Sequence, residues 1–374
     1  MSKIAIIGAS YLQVPAVIKA KEMGHEVICF AWPEGAICKD YADRFYPVSI
    51  TDKDKILEIC QQEKIDGITT VASDLAVWTV NYVASHMGLI SNPYEWTGVT
   101  TNKYEMRKCF IKQRLPSPAF YLINNCDEIA GLALKFPVIV KPTDRSGSRG
   151  IYKVENIEQL ARAIEAARNE GFASQVLIED FIDGHEVSVE SISFKGKHYV
   201  IQITDKVTTG APHFVELEHH QPSSLPKEIQ EQIKNITEKA LDALHIEYGA
   251  SHSELKITPH GDIKLIEIGA RGGGDFIASN LVKLSTGYDF MKAIINISLG
   301  IFETPEILYR KCSGVYFLSK ETSWLLEILE NASKYPEIEQ WEISSHSLNS
   351  LTCSADRNGY MIYKANQKLK LHHD

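Results

Sequence analysis

Leu265-Ile-Glu-Ile-Gly-Ala-Arg-Gly-Gly-Gly274 decides the reading of this chain. An apolar strand carries one glutamate, Glu267, then breaks into glycines around Arg271. A strand earlier stands Ser253-Glu254-Leu255-Lys256, and Thr258-Pro-His-Gly-Asp262 supplies a short turn between the two. Consecutive strands joined this way pair, so Glu254 and Glu267 are expected side by side on one face. Two like charges so placed repel unless a cation lies between them. Mg²⁺, held by one or two carboxylates plus substrate phosphates, is the usual solution. Arg271, four residues on, offers a fork for a phosphate or carboxylate.

Working upstream, residues 176–181 read as an apolar strand running into the acidic segment Glu179-Asp180-Phe181-Ile182 and on to Glu186. Such a segment can present backbone groups to a purine edge while carboxylates accept ribose protons. Before it, Phe136-Pro-Val-Ile-Val-Lys141 is a strand ending in a lysine, followed by a loop containing Ser146, Gly147, Ser148 and Gly150. Successive N–H groups in a loop of small residues can close over phosphates. A P-loop is excluded, because Gly-Lys-Ser/Thr and a following helix are both missing. Taken alone, each stretch also reads as a hairpin tip or a solvated strand end. Thr100-Thr-Asn-Lys103 reads as a helix start.

Residues 1–100 alternate strands (3–7, 26–30, 67–71) with helices (14–23, 54–63), which implies a parallel sheet covered on both faces. Ligands in such sheets sit beyond the strand C-termini, where Gly8, Ser10 and Asp74 fall. Gly8 alone of the G-x-G-x-x-G glycines is present, with Ser10 and Gln13 in the other positions, so a dinucleotide is not supported. Residues 208–221 read as a loop, with His219 and His220 either solvated or at a substrate. Residues 305–374 read as a small strand-rich unit with a terminal tail holding His372 and His373.

Length and composition set the outer limits. The 374 residues suffice for two or three domains. Thirty-nine basic against 48 acidic side chains give a net charge of -9, which disfavours nucleic acid and anionic membranes as partners. No stretch approaches the ~20 apolar residues of a membrane span. Seven cysteines without a CxxC pair fit reduced thiols, hence a cytoplasmic protein.

In order, these elements resemble the ATP-grasp superfamily of carboxylate–amine ligases across roughly residues 1–300. The resemblance implies an α/β and α+β multidomain chain: a Rossmann-like domain over 1–100, an ATP-grasp domain over 101–304 with a lid at about 125–185, and a C-terminal subdomain over 305–374. It implies ATP held by Lys103, Lys141, Ser146, Gly147, Ser148, Gly150, Glu179, Asp180, Phe181, Ile182 and Glu186. It places Mg²⁺, with Mn²⁺ as a substitute, on Glu254 and Glu267. Arg271, Lys141 and Glu267 become catalytic, and Arg271, Glu216, Gly272 and Gly273 meet substrate. Gly269 departs from the pattern, since the family often has Asn there as a further oxygen ligand. The glycine-rich form after Glu267, with Thr204-Asp-Lys206 and the run from Pro212 to Pro222, is similar to enzymes that join amino acids.

The implied reaction activates a carboxylate as an acyl phosphate and joins it to a small-molecule amine. The implied enzyme is cytoplasmic, and homodimers are common among such proteins. Other readings are a carboxylase or carbamoyl-phosphate-synthase-like enzyme acting on bicarbonate or formate, a nucleotide-binding sensor without turnover, and, weakest, an NAD-linked dehydrogenase.

Overall fold

The computed structural model describes residues 1–129 and 131–371; His372 and His373 lie outside them. Strands β1 (Lys3–Ile7), β2 (Glu26–Phe30), β3 (Arg44–Tyr46) and β4 (Gly67–Thr69) form a parallel sheet in the order β3-β2-β1-β4. Alternation along β1 sends Ile4 and Ile6 to one face, Ala5 and Ile7 to the other, and both faces are buried. The second face packs on helices Lys53–Glu63 and Asp74–Met87. The first is covered by helix Val14–Glu22 and by a much later one, Phe290–Ser298, which supplies Phe290, Ile294 and Ile295 to the same core.

Strands β5 (Phe120–Ile123), β6 (Val138–Pro142), β7 (Tyr152–Val154) and β8 (Val176–Asp180) make a separate antiparallel sheet, β5-β8-β6-β7, backed by helix Ile157–Glu170. Eight more strands form one antiparallel sheet. They are β9 (His185–Phe194), β10 (Lys197–Thr208), β11 (Glu216–Gln221), β12 (Gly249–Ile257), β13 (Ile263–Gly269), β14 (Cys312–Leu318), β15 (Ile338–Ile343) and β16 (Gly359–Ala365), in the order β13-β12-β9-β10-β11-β14-β16-β15. Helices Lys103–Lys112 and Lys227–Ala243 bury Met106, Phe110, Ile233 and Leu241 against it.

The strands after residue 305 therefore continue the sheet begun at His185. The joining strand is β11, whose sequence ELEHHQ has none of the apolar alternation that marks a half-buried strand. It is buried because both edges are paired, with β10 and with β14, and because its polar side chains find partners. His220 meets Glu218 Oε2 at 2.7 Å and the Tyr363 hydroxyl at 2.9 Å, and Gln221 Nε2 donates to Thr204 Oγ1 at 2.9 Å. The loop expected over 208–221 thus ends in a strand, and both histidines are 1% exposed.

No helix among the described residues is long and apolar enough to cross a membrane. Because helix Phe290–Ser298 closes one face of the first sheet, Ile295→Ala is expected to cost about 2–5 kcal/mol, read as a lower urea midpoint with unchanged m-value. An unaltered midpoint would show that this contact does not hold the sheet.

Candidate active site

The three sheets converge on a cavity of about 400 Å³, within the size range of small-molecule sites. One wall is the β12–β13 hairpin. Glu254 and Glu267 are direct register partners there, as like charges meeting a common cation would be. Each has an ammonium on one oxygen: Lys206 Nζ lies 2.7 Å from Glu254 Oε1, and Lys103 Nζ lies 2.8 Å from Glu267 Oε1. Lys103 is the first residue of its helix, whose N-cap is Asn102, with Oδ1 accepting the N–H groups of Tyr104 and Glu105. Its Nζ also donates to Arg145 O at 2.6 Å, tying the helix to the loop opposite.

Lys141, at the end of β6, is buried and lies 2.6 Å from Glu179 Oε2. Glu179 Oε1 accepts from Arg107 Nε at 2.5 Å, and Arg107 Nη2 donates to Ile266 O at 2.7 Å. This triad ties helix Lys103–Lys112 to β8 and to the strand bearing Glu267. Burial alone would push the Glu179 carboxyl up, but Arg107 and Lys141 outweigh it and hold the carboxyl below its ordinary value. For Lys141 burial wins over Glu179, and the amine is pushed down.

Lys206 is the reverse case. Burial would lower it, yet Glu254, Glu186 (3.0 Å) and Glu216 (3.6 Å) together raise it well above an ordinary lysine. Sequence reading quoted Lys206 without giving it a role, and Arg107 and Asp74 received no partner. What binds them together is contact between residues far apart in the chain.

Arg271 Nε and Nη2 donate to Asp74 Oδ1 and Oδ2 at 2.9 and 3.0 Å, a bidentate fork across the end of the first sheet. That pair accounts for Gly269. A Cβ there would stand 2.5 Å from Asp74 Oδ1 and 3.1 Å from Arg271 Nε, so any side chain, asparagine included, would require the Asp74 carboxylate or the Arg271 guanidinium to shift.

Of the residues expected at the site, Lys103, Lys141, Ser146, Gly147, Ser148, Glu179, Asp180, Phe181, Ile182, Glu186, Glu216, Glu254, Glu267 and Arg271 line the cavity. Gly150, Gly272 and Gly273 do not; each lies where backbone or side chains approach closely. Gly150 abuts Pro142 and Glu170. Gly272 forms a parallel bridge with Val71, its carbonyl accepting the Ala72 N–H. Gly273 N donates to Glu190 Oε2 at 3.0 Å, and a Cβ on it would lie 2.7 Å from Glu190 and from His252. Glu190 and His252 are themselves a buried pair between β9 and β12, and His252 Nε2 reaches Glu254 Oε1 at 3.5 Å. Burial pushes the His252 imidazole down, but Glu190 more than offsets this and raises it to about 9.

The donor set suits a magnesium ion that shares a bound triphosphate. Among the described residues no group of three or more His, Cys, Asp or Glu could hold a metal, so Glu254 and Glu267 would need phosphate or water oxygens to complete six positions.

Residues 134–279 match the family model for the ATP-grasp domain. The chain carries an ATP-grasp domain. It is 26% identical over 265 residues to the ATP-grasp enzyme fsqD of Aspergillus fumigatus, a match covering 64% of this chain and 45% of that protein. It is 26% identical over 295 residues to dapdiamide A synthase of Enterobacter agglomerans, covering 70% and 68%. The chain thus spans less than half of the first relative and about two thirds of the second. Among solved structures it resembles an L-amino acid ligase from Bacillus licheniformis, with TM-score 0.81, 22% identity and 98% and 94% of the two chains covered. The ATP-grasp match and the mixed α/β architecture agree with the family and fold expected from sequence.

In Arg107→Met, Glu179 would keep only Lys141 as a cationic partner in a buried wall. Breaking a buried ion network of this kind costs about 3–5 kcal/mol, a drop of several degrees in the thermal midpoint by calorimetry. A midpoint within one degree of wild type would show the triad to be dispensable.

Proposed function

We propose that the protein is an ATP- and Mg²⁺-dependent ligase that activates a carboxylate as an acyl phosphate and joins it to an amine, releasing ADP and phosphate. The observation that carries this reading is the register pairing of Glu254 with Glu267, each with a lysine on one oxygen, on the wall facing Lys141 and the loop of residues 145–149. The names of the relatives, a synthase and an L-amino acid ligase, support the same class.

On this reading Asp180, Phe181 and Ile182 receive the adenine and Glu186 the ribose. Lys103, Lys141 and the N–H groups around Ser146, Gly147 and Ser148 receive the phosphates. Gly150 shapes that loop from behind, and Glu179 holds Lys141 in place. Mg²⁺ bound by Glu254 and Glu267 would neutralise charge on the β- and γ-phosphates. A carboxylate oxygen of the first substrate attacks the γ-phosphorus and ADP leaves; the amine nitrogen then attacks the acyl carbon and phosphate leaves. Little covalent work falls to the protein, so positioning and charge dominate. Arg271, steadied by Asp74, faces the transferring phosphoryl group, with Gly272 and Gly273 fixing its loop, and Glu216 receives a substrate amino group. The acidic balance and the free thiols of Cys29, Cys38 and Cys60 fit a cytoplasmic enzyme.

ADP release that requires Mg²⁺, an acid and an amine is the expected activity, screened with amino acids singly and in pairs. Lys141→Met and Glu267→Gln should each lower kcat by about 10²–10³, the usual cost of removing one electrostatic stabiliser. Full activity in Glu267→Gln would overturn the metal assignment.

A further inference from the structure

Glu190, on β9, is fully buried and does not line the cavity, yet both of its oxygens are engaged. Oε2 accepts the Gly273 N–H at 3.0 Å, and Oε1 meets Nδ1 of His252, its register partner on β12. The other ring nitrogen of His252, Nε2, stands 3.5 Å from Oε1 of Glu254, two residues along the same strand. Each nitrogen of this imidazole faces an oxygen of an ionised carboxylate, which can only accept, so the ring carries a proton on both. One line of contacts results, from Gly273 through Glu190 and His252 to Glu254. It begins two residues after Arg271 and ends on a glutamate assigned above to Mg²⁺.

Stability alone gives no reason for a carboxylate here. The next residues on the same face, Ile192 and Ala250, are register partners and belong to the apolar core under the first sheet. Replacing a buried ion pair by apolar residues of similar volume is often neutral or stabilising. What an apolar pair cannot supply is an acceptor for the Gly273 N–H. The fit above the pair is also close, since a Cβ on residue 273 would stand 2.7 Å from Glu190 Oε1 and from His252 Nδ1. Just beyond, Asp275 and Phe276 hold φ of 50° and 65° without being glycine, a conformation that surrounding contacts must enforce. Two anchors of this loop run to the first sheet: the Arg271–Asp74 fork, and the Ala72 N–H donating to Gly272 O. The bond to Glu190 ties the loop instead to the sheet that bears Glu254.

We propose that Glu190 and His252 are positioning residues that fix the Arg271 loop and the Glu254 carboxylate relative to each other. The inference rests on the ligase reading above and adds to it two residues that act through others. Glu190 holds the loop through the Gly273 N–H. His252 holds Glu254 from one side while Lys206, 2.7 Å from the same oxygen, holds it from another. Arginine loop and metal ligand thereby move as one body, although they lie on different elements.

The test uses the whole chain. Affinity of its ADP complex for Mn²⁺ is read by electron paramagnetic resonance of the free ion, and kcat at saturating Mg²⁺ by ADP release with pairs of L-amino acids. Glutamine offers one acceptor where glutamate has two, so Glu190→Gln keeps Gly273 or His252 but not both. Its Kd for Mn²⁺ should rise and its kcat fall, each about tenfold or more, as when a partner behind a metal ligand is lost. In His252→Asn the amide stands in for Nδ1 and keeps Glu190 paired, so the Kd should rise while kcat falls less. Losses in kcat from Glu190→Gln and Arg271→Lys should be non-additive, as for residues acting on one loop. Ile295→Ala should lower the thermal midpoint and leave Mn²⁺ affinity alone. Unchanged Mn²⁺ affinity in Glu190→Gln or His252→Asn, additive losses with Arg271→Lys, or an equal shift in Ile295→Ala overturns the positioning role and leaves the ligase standing. Should Glu190→Gln not fold, His252→Asn decides alone. Absence of Mn²⁺ binding by wild type with ADP overturns the metal assignment and this inference with it. Binding of Mn²⁺ without ADP release from ATP in any pairing overturns the ligase reading, and the Mn²⁺ affinities of the variants still decide the positioning role.

Discussion

A carboxylate withdrawn partly or wholly from water is stabilised by a cation beside it, and the cleft is assembled around such pairs. Glu267 is met by Lys103, Glu179 by Arg107 and Lys141, Glu254 by Lys206, Asp74 by Arg271 and Glu190 by His252. The two members of each pair come from different elements, in the case of Arg271 and Asp74 from positions 197 residues apart. Folding the sheets together is therefore also what neutralises the site. Apolar packing brings the layers into contact, and the ion pairs fix how those layers are set against one another.

The same arrangement prepares the cleft for a polyanion. Lysines already committed to glutamates are ordered before any phosphate arrives, so little side-chain entropy remains to be lost. The lowered Lys141 and the raised Lys206 show that the cations are not equivalent. Lys206 is saturated by three carboxylates, whereas Lys141 is short of negative charge and is the one that a phosphate would most relieve.

Elements with a local signal were legible in the sequence. The strand ending at Lys141, the Asn102 cap, the 254–267 hairpin and the helices at 14–23 and 54–63 follow from periodicity and turn chemistry, within a residue or two, whereas helix Asp74–Met87 was not read. Through-space pairing has no such signal. Arg107 and Lys206 resemble any solvated base on a helix or strand until their partners are known. Strand β11 was missed because a centrally paired strand can be polar when its side chains are hydrogen-bonded, a condition that no window of sequence reveals. Gly272 and Gly273, after Arg271, were read as meeting substrate, but neither lines the cavity: Ala278 and Ile294 stand close to Gly272, and Glu190 and His252 close to Gly273.

Gly269 carries the longest consequence. A Cβ at this position would press on the Asp74–Arg271 fork, so a larger residue here and the fork in its present geometry compete for the same space. Across relatives the two positions should therefore change together, a bulkier residue at 269 accompanying a rearranged contact between residues 74 and 271. One hydrogen atom in place of a side chain thus leaves room for a tether between the first sheet and the loop after β13.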